Sequence, residues 1–182
     1  MTSKLTRTLL GIAVVATVAA CVVNLSFTYP KPGVAVKFTG ATMSQEVPID
    51  LSTQAEVAAH KNNVQDLTLD SLDATVVAVG SGNQVTTITG NVKLRPDAGP
   101  TDGSKDVQVG TLTAVSVTVG TKVHLVGTPA LDALVLSTIK GSGKATAIIA
   151  GSVTTSSGAG TASTVGDFTL DLALHLSMAY QP

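Results

Sequence analysis

The 182-residue chain has no tryptophan, three phenylalanines and two tyrosines. It therefore lacks the aromatic platforms on which carbohydrates and single-stranded nucleic acids are commonly held. Its one cysteine, Cys21, excludes an internal disulfide and leaves an exported thiol without a partner. Charge is scarce: 11 basic and 12 acidic residues, 13% of the chain, give a net of −1. That balance supplies no basic face, so neither nucleic acid nor electrostatic adhesion to anionic lipid is expected. No apolar run is long enough to span a bilayer. The run Leu9 to Ala20 has twelve residues and rises only about 18 Å as a helix, against a hydrocarbon core of roughly 30 Å.

Motifs that carry chemistry are equally sparse. No Gly-x-Ser-x-Gly elbow occurs. Gly141-Ser142-Gly143-Lys144 fails as a phosphate loop, because Thr138 stands where the first glycine is needed and Ala145 replaces the magnesium-binding hydroxyl. That glycine stretch also closes an expected helix instead of opening one. His60, His124 and His175 lie on three separate segments. Strand neighbours could gather His124, His175 and Asp171 as zinc ligands, but no spacing motif supports this, and ordinary surface histidines are the favoured reading. Asp97, Asp102 and Asp106 lack the alternate-residue spacing of a calcium loop. No metal, cofactor or catalytic residue is expected.

What is present begins at the start. Lys4 and Arg7 precede the apolar run, and Val18-Ala19-Ala20-Cys21 ends it with small residues before the cysteine. That order is the charged, apolar and cleavage regions of a secretory signal peptide. Its end resembles the lipobox of bacterial lipoproteins, which implies cleavage between Ala20 and Cys21 and a diacylglycerol and fatty-acyl (palmitate-type) anchor on Cys21. Two or more acyl chains suffice for stable attachment. The resemblance implies residues 1–20 as signal and 21–182 as a single domain held on a membrane. Val22, where some Gram-negative inner-membrane lipoproteins carry aspartate, inclines the location toward the outer membrane. Without Lys4 and Arg7, nine basic residues face twelve acidic ones, a net of −3.

The body alternates with period two. Val23, Leu25, Phe27 and Tyr29 share one face, Pro30-Lys31-Pro32-Gly33 breaks the run, and Val34 to Thr39 resumes it. Thr53 and Glu56 match a capping box for a helix over 54–62. Leu67 to Val79 and Gln84 to Arg95 flank Gly80-Ser81-Gly82-Asn83 as an expected hairpin. The slip from Leu67 and Leu69 to Leu72 and Ala74 predicts a β-bulge. A loop over 96–106 precedes strands near 107–112, 114–119 and 122–126. Thr128-Pro129 opens a helix over 129–140 with Leu131, Leu134, Val135 and Ile139 on one side. Leu136 projects away from that side and is the candidate contact for a ligand or partner. Strands near 144–155 and 167–178 follow, the latter with Phe168, Leu170, Leu172, Leu174, Leu176 and Met178 inward. The two halves share a layout of strand, capped helix, long strand, turn, long strand, which admits an internal duplication.

The expected fold is mainly β, an antiparallel β-sandwich with two short peripheral helices, 54–62 and 129–140. The body is similar to exported bacterial lipoproteins of like length in the entry Ile49-Asp50-Leu51-Ser52 to its first helix. The expected function is that of a membrane-anchored envelope lipoprotein, structural or protein-binding and non-catalytic, with another envelope protein as partner. The alternative is a carrier of a hydrophobic ligand, or a small hydrolase, facing the periplasm.

Overall fold

The computed structural model describes residues 21–97 and 99–182. Its elements are β1 Val23–Thr39, β2 Thr42–Asp50, α1 Ala55–His60, β3 Val64–Val79, β4 Val85–Pro96, β5 Val107–Ser116, β6 Lys122–Val126, α2 Pro129–Lys140, β7 Lys144–Thr155, β8 Gly158–Ala159 and β9 Val165–Tyr180. Sheet I has the order β1-β9-β3-β6, and sheet II the order β2-β7-β4-β5 with β8 added to β7. Every ladder is antiparallel. With β8 left aside, the chain changes sheet at every connection except β4 to β5. Setting aside the two-residue β8, this is the eight-stranded jelly roll, two facing sheets built from two Greek keys. The expected sandwich with two short helices is what the chain forms.

The cause is clearest in β9. Phe168, Leu170, Leu172, Leu174, Leu176 and Met178 are buried while the residues between them are half-buried. Leucine at every second position satisfies one apolar face of a strand and nothing else. β9 consequently lies between β1 and β3, paired along nearly its whole length. Facing it across the core are Met43, Val47 and Ile49 of β2, Ile88, Val92 and Leu94 of β4, and Ile149 and Val153 of β7. Leu131, Leu134, Val135 and Ile139 of α2 are buried as expected. No helix of the described residues is long and apolar enough to cross a membrane.

Several local expectations are corrected. Pro30 to Gly33 does not divide two strands. β1 continues through it with a register shift between Lys31 and Val34. Gly33 takes φ +70°, and its amide donates to Asp171 Oδ1 at 2.8 Å. An edge strand tolerates proline because one of its sides needs no donors. Gly80 to Asn83 joins no hairpin either, since β3 pairs with β6 and β9 while β4 pairs with β5 and β7. The turn is tied to the start of β9 instead: Gly80 N donates to Asp167 O, and Gln84 Oε1 accepts from Val165 N. The stretches 107–112 and 114–119 form no separate strands, because β5 runs on to Ser116 and bulges at Ala114, φ +47°.

The capping box at Thr53 and Glu56 does not form. Thr53 Oγ1 donates back to Asp50 O at 2.7 Å, and Gln54 caps a six-residue α1 without a side-chain bond. The bulge in β3 is present, between Leu69 and Ser71. There the Leu69 amide donates to Asp132 Oδ1 of α2 at 3.0 Å, so the helix satisfies the group that the bulge frees. The loop after β4 is anchored by Arg95, whose Nε and Nη2 donate to the two carboxylate oxygens of Asp106 while Nη1 donates to Glu46 Oε1.

Candidate functional site

The most connected group of polar side chains lies on the outward face of sheet I. Inward leucines on β9 force His175 and Ser177 outward, and past the bulge in β3 the same alternation puts Asp73 outward beside them. Register then aligns them: Thr28 lies opposite His175, and Asp73 opposite both Ala173 on β9 and His124 on β6. His175 Nε2 is 3.1 Å from Asp73 Oδ2, and its Nδ1 is 3.0 Å from Thr28 Oγ1. His124 Nδ1 meets the other oxygen, Asp73 Oδ1. One carboxylate thus joins two imidazoles, and with Thr28 the bonded set crosses all four strands. A second row runs below it, from Ser26 to Ser177 to Asp70 and Thr68.

The hydrogen-bond donor from His124 is the main reason the Asp73 carboxyl is held below the ordinary aspartate value, with the charges and the bond of the two histidines adding to it. In the neutral state the arrangement fixes the tautomer of His175. Nε2–H donates to Asp73, and Nδ1 accepts from the Thr28 hydroxyl. Thr28, His175 and Asp73 stand in the order of a nucleophile, base and orienting acid. However, they lie on an open sheet face where the strand amides are committed to ladders and cannot stabilise an oxyanion. His175 and Asp73 are 40% and 41% exposed, so water competes for every bond. The set is suited to holding strands together.

The other candidates are dispersed. Asp171, weighed above as a third ligand beside the histidines, accepts from the Gly33 amide. His124 Nδ1 and His175 Nε2 are each directed at a different Asp73 oxygen, and His175 Nδ1 at Thr28. Among the described residues no group of three or more His, Cys, Asp or Glu is arranged to hold a metal ion. His60 stacks on Tyr180 at a centroid separation of 3.7 Å. Asp106 is committed to Arg95, and Asp102 accepts from the Ser104 amide. Leu136 is half-buried and packs against the core. Cys21 is exposed at the entry to β1. Ala20, and with it the expected signal segment 1–20, lies outside the described residues.

Two concavities lie away from this cluster. A void of about 40 Å³ between the sheets is lined by apolar groups including Met43, Leu72, Ile149, Phe168 and Leu172. Engineered cavities that take up benzene are near 150 Å³, so this one holds no ligand of that size. A polar cleft is lined by Asn83, Gln84, Thr86, Thr155 and Thr161, among others. Much of its bonding capacity is already engaged: Asn83 Oδ1 and Gln84 Oε1 accept from β9 amides, and Thr86 Oγ1 donates to Thr154 O. Sequence reasoning placed His124 and His175 on solvated faces but passed over Asp73. Its one signal was its place among the outward residues after the slip in β3.

No protein-family model and no curated protein matches the chain. The solved structures to which it is similar include those of viruses and their capsid proteins. The chain is similar to the Macrobrachium rosenbergii nodavirus semi-empty VLP at 12% identity and TM-score 0.42, covering 100% of this chain and 95% of that one. It is similar to the Mud crab tombus-like virus structure at 10% and 0.43, covering 100% and 90%. It is also similar to the decameric BFDV capsid protein at 10% and 0.39, covering 87% and 99%. These structures correct the expectations built on the opening residues. An envelope lipoprotein, its acyl anchor as the means of attachment, an outer-membrane location and an envelope partner are not retained, because the similar structures are of viruses and their capsid proteins and none of these is described as a lipoprotein. A short motif ahead of the domain carries no information about the body that follows. The exclusion of nucleic acid is withdrawn on the same finding, since a net charge summed over the chain does not describe any one surface. The alternative of a hydrophobic-ligand carrier or hydrolase is set aside with them.

Proposed function

We propose that this chain is a structural, non-catalytic subunit that works by assembly, its sandwich packing beside further copies of itself to build a shell. The observation that supports this is the strand order, β1-β9-β3-β6 facing β2-β7-β4-β5. That double-sheet jelly roll is used by viral capsid domains, lectins and cupins. The cupin alternative is disfavoured because His124 Nδ1 and His175 Nε2 are taken up by Asp73 and His175 Nδ1 by Thr28. The lectin alternative is disfavoured because the aromatic rings serve the interior: Tyr29 and Phe168 are buried, and Phe27, Phe38 and Tyr180 pack against the core. A fold alone hosts many functions, so the decisive measurement is assembly itself. The full chain is followed by sedimentation velocity and negative-stain electron microscopy across protein concentration and salt, with and without added RNA. Concentration-dependent conversion to large closed particles is expected. A species that keeps the mass of one chain under every condition overturns the proposal.

A further inference from the structure

We infer that Asp73, His124 and His175 form a proton-dependent clasp that fastens the edge strand β6 to sheet I, tightening as the solution becomes mildly acidic. β6 has five residues and pairs, among the described residues, with β3 alone, at Ser71 to Thr75. A strand so short at a sheet edge is held by few backbone bonds, and its outward side chains decide how readily it opens. Of its outward residues Lys122, His124 and Val126, it is His124 that bonds to the rest of the sheet, at Asp73 Oδ1. The other oxygen of Asp73 reaches His175 on the central strand β9 at 3.1 Å, and His175 is braced by Thr28 on β1. The clasp therefore ties the edge strand to the middle of the sheet.

Imidazole changes charge between about pH 5 and 8. In the neutral state each ring offers Asp73 an ordinary N–H donor. Each bond is already charge-assisted by the ionised Asp73 carboxylate, and a proton added to the ring adds the attraction of opposite charges to it. Two imidazolium rings near one carboxylate repel each other, and Lys122 on β6 adds positive charge to this side. Asp70 on β3 and Asp171 on β9 face outward from the same sheet and offset that repulsion. Inward, β6 places Leu125 and Val123 over the apolar void. Loosening β6 exposes that interior, so the clasp sets the access of water to the sandwich at its β5/β6 side.

The test is amide hydrogen exchange of the full chain at pH 5.5 and 7.5, corrected for intrinsic rates, with the segment 122–126 compared against β4 in sheet II as an internal control. Protection of 122–126 relative to β4 is expected to rise several-fold at pH 5.5. Asp73→Asn and His124→Gln are expected to abolish that rise while leaving β4 protection in place. A wild-type segment 122–126 with the same relative protection at both pH values overturns the clasp, as does an Asp73→Asn protein that keeps the rise. Should a variant lose β4 protection and so prove unfolded, the wild-type comparison alone decides.

Discussion

Leu172→Asp tests the facing of β9 on which the whole sandwich depends. Leu172 is 3% exposed and lines the void between the sheets. Removing a buried leucine side chain costs about 2–5 kcal/mol. Leaving a carboxyl group there without partners adds about 1–3 kcal/mol. The sum, roughly 3–8 kcal/mol, is comparable to the whole stability of a typical domain, about 5–15 kcal/mol. In a domain of this size the melting temperature should fall by roughly 6–30 °C. The loss should also deepen with pH. A carboxyl forced into the core has its folded-state pKa raised, so above about pH 4 the unfolded chain binds fewer protons than the folded one, and stability falls by about 1.4 kcal/mol per pH unit until the buried group ionises. The control is the neighbouring Asp171→Ala, which removes the acceptor of the Gly33 amide and should cost about 0.5–1.5 kcal/mol. Calorimetry of both variants at pH 4 and 7 gives the comparison. Equal melting temperatures would show that β9 presents the opposite face to the core.

Three further outcomes are expected. Asp132→Ala strips the acceptor from the Leu69 amide at the β3 bulge and should cost about 1–3 kcal/mol by urea denaturation, with wild-type stability counting against this account. Gly127→Ala drives a Cβ into the Leu69 carbonyl oxygen; backbone must move, and a loss of about 1–3 kcal/mol is expected in the same assay. Because the Asp73 carboxyl is depressed in the folded state, chiefly by His124, its contribution is present above the unfolded aspartate value and lost as pH falls through the lower folded value. Wild type should therefore lose more stability than Asp73→Asn between pH 4 and 2, and parallel acid-denaturation curves would contradict this.

The regular elements were legible because their burial is written with strict periods. The six inward residues of β9 and the stripe Leu131, Leu134, Val135 and Ile139 on α2 each follow one rule without interruption. The β3 bulge was legible for the same reason, since a single extra residue shifts every later side chain to the other face. Pairing was not legible in this way. Gly80-Ser81-Gly82-Asn83 has the composition of a hairpin turn, and composition cannot distinguish a turn that doubles back within one sheet from one that arches to another. Thr53 was misread because a hydroxyl can bond backward to Asp50 O as readily as forward to a helix amide. The cluster at Asp73 depends on β3 lying between β6 and β9, three strands that are distant in sequence. Each residue looked like an ordinary solvated polar group until register placed them side by side.

The position of β9 has a consequence for how the protein is made. It is synthesised after the other strands of the sandwich, yet it forms the middle of sheet I, and among the described residues β1 pairs with no other strand. While translation proceeds, β1 carries seventeen residues of unpaired edge, and β3 can reach only the short β6. Sheet II has no such gap, because its strands β2, β4, β5 and β7 are all available before residue 156. The nascent chain can thus assemble one sheet while the other waits, its leucine-rich face open to aggregation until Tyr180 clears the ribosome. Loss of the segment 165–180 would leave β1 without any partner, so truncation here should act as an all-or-none event and not as gradual fraying from the end.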